Sequence, residues 1–140
     1  MKIRYDFVTN SSSTSFVIIS DGEFNFKDFI DAVGIKNDSA FFDIYQSLFD
    51  AFQDDMEPAR EFYAKQYAGT YSTFEEFVEQ KLWKSGKDVL PKVLEAEKNG
   101  KKVYIGKLSS DNDEIESFFC TDEFIIESDK LFIDAQENGW

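Results

Sequence analysis

Ser15-Phe16-Val17-Ile18-Ile19-Ser20 is a short apolar run rich in β-branched residues and bounded by serines. A run of this length predicts a buried strand. Upstream, Ile3-Arg4-Tyr5-Asp6-Phe7-Val8 partly alternates and predicts a second extended segment. The small polar residues Thr9 to Thr14 between them read as a hairpin loop, or as a flexible stretch that leaves residues 1–14 loosely attached.

The period then changes to that of helices. Asn25 is placed to cap a helix through Val33, with Phe26, Phe29, Ile30 and Val33 on one face and Gly34 as the stop. Asp38 or Ser39 is placed to cap the next, in which Phe41, Phe42, Tyr45, Leu48, Phe49 and Phe52 form a wide apolar stripe. Pro58 suits the first turn of a third helix carrying Phe62, Tyr63 and Tyr67, ended by Gly69. Ser72 with Glu75, or Thr73 with Glu76, has capping-box spacing ahead of Phe74, Phe77, Val78 and Leu82, in a helix ending near Gly86. Asp88 and Pro91 open a fifth helix that stops at Gly100.

After Gly100 the pattern reverts. Val103 to Leu108 reads as a strand, Ser109 to Asp113 as a turn, and Ile115, Phe118 and Phe119 as one face of a short helix. Phe124-Ile125-Ile126 and Leu131-Phe132-Ile133 predict a hairpin turning at Ser128-Asp129. The expectation is one domain over residues 1–140 of α/β (or α+β) class. About four or five strands would form a small mixed sheet covered by about five or six helices, ending in a C-terminal β-hairpin. The intervening helices allow a crossover, which suggests parallel pairing of strands 15–20 and 103–108.

Composition limits the chemistry. With 16 Phe and 17% aromatic residues the 140-residue chain has enough apolar material for a core, so its net charge of −13 must ride on a folded surface. That balance opposes direct nucleic-acid binding and anionic membranes, and favours a basic protein partner or a divalent cation. Residues 21–56 hold nine acids against two lysines, and residues 108–140 hold ten acids against Lys130 alone. Residues 57–107 are nearly balanced, with eight acids and ten bases. No signal peptide or membrane span is visible, and the expected location is cytoplasmic. The chain has no histidine, which removes imidazole catalysis and imidazole metal ligation. Its single cysteine, Cys120, permits no internal disulfide and reads as a small core residue.

Phe7-Val8-Thr9-Asn10-Ser11-Ser12-Ser13-Thr14-Ser15-Phe16, preceded by Lys2 and Arg4, resembles the opening of a family of uncharacterised bacterial and phage proteins. Those begin with Phe-Val-(Ser/Thr)-Asn, a serine run and Phe; Thr14 inside the run departs from that pattern. The resemblance implies kinship and a mobile-element context but no activity.

Two segments stand out as sites. Asn10, Ser11, Ser12 and Ser13 offer a side-chain amide and three hydroxyls to a modifying or recognising partner, or backbone N–H groups and hydroxyls to an anion, although the glycines and lysine of a phosphate loop are missing. Asp111, Asp113, Glu114 and Glu116 follow a strand, where carboxylates can hold a hard cation such as magnesium against a phosphorylated substrate. The same acids would also stabilise a helix N-terminus with no further role. No other cofactor is implied. The leading expectation is a non-catalytic interaction protein, an inhibitor or immunity-type binder of a basic partner. A metal-dependent enzyme using the 111–116 turn and an N-terminal recognition or processing tag are the alternatives.

Overall fold

The computed structural model describes residues 13–36, 40–82, 86–109 and 124–138. Strand β1 (Ser13–Ser20) is followed by helices α1 (Phe26–Val33) and α2 (Phe42–Asp55), then by a two-residue strand, β2 (Glu57–Pro58). Helices α3 (Ala59–Gln66), α4 (Phe74–Lys81) and α5 (Gly86–Lys98) lead to β3 (Lys102–Ser109), β4 (Phe124–Glu127) and β5 (Leu131–Asn138). The strands form one sheet in the order β2-β3-β1-β5-β4, and every pairing is antiparallel. The α/β class, the small helix-covered sheet and the C-terminal hairpin all hold.

The parallel pairing expected between β1 and β3 gives way. Ser20 lies opposite Lys102 and Ser13 opposite Ser109. The helices return the chain to the sheet end that β1 leaves, instead of carrying it to the opposite end as a crossover would. The end of α5 makes this turn: Lys101 N–H donates to Ala96 O at 2.9 Å while Gly100 takes φ 77°, a conformation that favours glycine.

Several caps match their sequence signals. Asn25 accepts from Asp28 N–H at 2.9 Å, and Gly34 (φ 84°) closes α1 by donating to Ile30 O. Thr73 Oγ1 accepts from Glu76 N–H at 3.0 Å, but Glu76 reaches back to Ser72 N–H rather than to that of Thr73. Helix α2 starts at Phe42 with Phe41 as its cap and no side-chain bond there; Asp38 and Ser39, expected to cap it, lie outside the described residues. Pro58 precedes α3 instead of occupying its first turn. Helix α4 stops at Lys81, short of Gly86, and α5 begins at Gly86, so Pro91 lies inside α5 rather than opening it. Strand β1 starts at Ser13, earlier than the apolar run alone suggests, and takes Ser13 and Thr14 out of the expected loop. The expected strand at 3–8 and helix at 115–119 lie outside the described residues.

Successive side chains of β1 point to opposite faces of the sheet. Phe16 and Ile18 join Leu108, Ile133 and Ala135 beneath α1 and α2, against Phe29, Leu48, Phe49 and Phe52. Val17 and Ile19 join Ile105 on the other face, against Phe62, Phe77, Val78, Val89 and Val93 of α3, α4 and α5. Phe16 meets Phe52 edge-on, with ring centroids 4.7 Å apart. Arg60 of α3 holds Glu97 of α5 through two bonds of 2.9 and 3.0 Å, and its guanidinium lies 4.3 Å over the Phe74 ring.

Gly106 lets α2 approach β3. A Cβ there would sit 2.6 Å from Asp55 O and 2.7 Å from the Phe16 ring. Gly106→Ala should therefore destabilise the protein by about 1–3 kcal/mol, read as a lower urea midpoint. Gly69→Ala, which meets nothing within 4 Å, serves as the control and should shift stability by less than ~0.5 kcal/mol.

Candidate functional site

Three features qualify as site candidates. The first is the sheet end where β1 starts and β3 finishes. The register there sets Ser13 against Ser109 and Thr14 against both Leu108 and Asn138. Thr14 and Ser15 are fully buried, and the Ser15 hydroxyl has no hydrogen-bond partner among the described residues. Asp134, opposite Val17, is also buried. Sequence reading assigned Thr14 to a loop and Ser15 to the start of the strand, and did not single out Asp134.

Of the sequence-nominated residues, Ser13 alone is described, as the first residue of β1. Asn10, Ser11, Ser12, Asp111, Asp113, Glu114 and Glu116 lie outside the described residues, as does Cys120. Ser13 pairs with Ser109, the last residue of β3. Among the described residues, no group of three or more His, Cys, Asp or Glu side chains is arranged to hold a metal.

The second feature is a cleft of about 500 Å³ between the C-terminal half of α5 and the β4–β5 turn. Its floor is apolar, from Ile19, Ala96, Leu131 and Phe132, and its rim is charged. Much of that charge is already engaged. Lys92 Nζ lies 3.6 Å from Glu127 and 5.0 Å over the Phe132 ring, and Glu95 accepts from Asn99 at 3.3 Å. The dispersed lysines of this layer do not form a basic patch: Lys81 sits over the Tyr67 ring, while Lys87, Lys98 and Lys102 alternate with acids on exposed positions.

The third is a groove of about 450 Å³ between β4, α1 and α2. Ala32 and Val33 form one wall, Tyr45 and Leu48 another, and Phe124 and Ile126 line it from the sheet. The phenylalanine stripe of α2 is core as expected at Phe49 and Phe52, but Phe41 at its start is 59% exposed. Nothing in the local sequence marked this groove, because its walls come from segments some eighty residues apart.

Electrostatics distinguishes the two helical layers. On the α1/α2 side, Asp21, Glu23, Asp43, Asp50 and Asp54 have no ion-pair partner among the described residues, and Lys27 is engaged with Asp31 at 3.1 Å. On the α3–α5 side, Arg60 with Glu97 and Lys65 with Glu57 balance charge locally. No described helix is long and apolar enough to cross a membrane.

Burial holds the Tyr67 hydroxyl above the ordinary tyrosine range, with Tyr71 adding to it. Burial does the same for Tyr104, with help from the negative charge of Glu23. Raised folded-state values mean that the native state keeps these protons longer than the unfolded chain does. Their stabilisation is then complete below the ordinary tyrosine value of about 10 and is lost as pH rises above it. Tyr104→Phe should flatten the alkaline decline in stability, followed by urea unfolding at a series of pH values.

No protein-family model, curated protein or solved structure matches this chain.

Proposed function

We propose that this chain is a non-catalytic interaction protein, an inhibitor or immunity-type binder, whose α1/α2 layer meets a basic protein partner. The observation that supports this is the separation of charge by the sheet. Residues 21–56, with nine acids against two lysines, supply the helices of one face, while the nearly balanced residues 57–107 supply those of the other.

Unpaired carboxylates on a single layer create a field that accelerates encounter with a basic surface and weakens with salt. Asp43, Asp50 and Asp54 are exposed, so they can act on a partner without first leaving a fold contact. The absence of histidine from the whole chain also favours binding over acid–base catalysis.

A partner bound from native extract at low salt should be released at high salt. Replacing Asp43, Asp50 and Asp54 together by Asn should slow its association by about tenfold, measured by surface plasmon resonance. Glu75→Gln with Glu79→Gln, on the opposite layer, should leave the association rate unchanged. An association indifferent both to salt and to the α2 substitutions would refute the proposal.

A further inference from the structure

Helix α5 is closed by Asn99-Gly100, one of two Asn-Gly pairs in the chain. The second residue of the other, Asn138-Gly139, lies outside the described residues. An asparagine amide is most open to attack by the next backbone nitrogen when that nitrogen belongs to glycine, which carries no side chain to shield it. Asn99 and Gly100 are both exposed, and the place that a Cβ would take on Gly100 is open space.

The fold restrains both reacting groups. Gly100 N–H donates to Glu97 O at 3.2 Å and Lys101 N–H to Ala96 O at 2.9 Å, the two bonds of a Schellman closure. Asn99 Nδ2 donates to Glu95 Oε1 at 3.3 Å, which draws the amide back along the helix, away from Gly100. Bonds at an exposed helix end open at little cost compared with those of the core.

We propose that Asn99-Gly100 is a self-modifying site, which converts when the last turn of α5 opens and then charges the adjacent cleft. Gly100 N attacks Asn99 Cγ; the new N–Cγ bond closes a cyclic imide, the Cγ–Nδ2 bond breaks, and the Gly100 proton leaves with ammonia. Water then opens the imide at either carbonyl, giving aspartate or isoaspartate at position 99. Water is the sole co-reactant, and no oxidation or reduction is involved.

The product differs where it matters. Glu95 and Asn99 both line the cleft between α5 and the β4–β5 turn, whose rim carries three lysines and three acids. Conversion replaces the donor facing Glu95 by a carboxylate, so an attraction becomes a like-charge repulsion one helical turn apart. The new charge also stands at the negative end of the helix dipole. The rim passes from balanced to net negative, and the last turn of α5 loosens. None of this depends on the acidic-binder reading.

The full chain can be incubated folded and in urea at mildly alkaline pH. Peptide mapping by mass spectrometry follows residue 99 separately from Asn138. Conversion at residue 99 should proceed in the folded protein, at least about tenfold more slowly than in urea, because only the opened helix end reacts. Glu95→Ala should speed the folded-state conversion by about twofold and leave the urea rate unchanged, whereas Glu95→Gln keeps the acceptor and should not. Asn99→Asp, which carries the product charge, should lower the urea midpoint while the circular dichroism spectrum stays native. A residue 99 that remains asparagine in the folded protein, or converts as fast folded as unfolded, would overturn the inference. So would a folded-state rate indifferent to Glu95→Ala. An Asn99→Asp midpoint equal to that of the parent chain would overturn the loosening of α5.

Discussion

The structure depends on the burial of both faces of β1. Phe16 and Ile18 on one side and Val17 and Ile19 on the other are all inside. Each contributes on the order of 1.5–3 kcal/mol if its burial is complete. A single helical layer would leave half of that in water. The chain therefore covers the sheet twice, with α1 and α2 on one face and α3, α4 and α5 on the other. Two glycines permit close approach within this plan. Gly106 admits the end of α2 to β3, and Gly86 lets the start of α5 lie against the backbone of Val78 and Glu79.

This double covering also organises the charge. The acids of residues 21–56 are close together in sequence and become close together in space because α1 and α2 share one face. A fold that sent these helices to opposite faces would have dispersed the same residues. The layer beyond the sheet neutralises itself through pairs such as Arg60 with Glu97, and the acidic layer has little to do so with.

Much of the fold was legible because its signals are local. Asn25 and Gly34 bracket α1, Thr73 with Glu76 marks the start of α4, and Ser128-Asp129 marks the turn of the hairpin. Parallel pairing of β1 with β3 was the clearest failure. Helices between two strands permit a crossover but do not require one, and the direction of return is set by how the helices pack. Proline misled in a smaller way: Pro58 and Pro91 both read as first-turn residues, yet one precedes its helix and the other lies inside its own. Ser13 and Thr14 read as loop because they are small and polar, but pairing of both with β3, and of Thr14 with β5 as well, draws them into the central strand.

The sequence by itself determined the kinds of elements, the double-sided hydrophobicity of the run at 16–19, the want of imidazole chemistry and the uneven distribution of charge along the chain. These are properties of composition and of short-range periodicity, so they survive any arrangement of the parts. Tertiary structure decided which strand lies at the edge, which helices share a face and therefore where the charge gathers. It also assembled the groove from Ala32, Tyr45 and Ile126, residues with no local relation. Such features arise from packing between distant segments, and no window along the chain contains them.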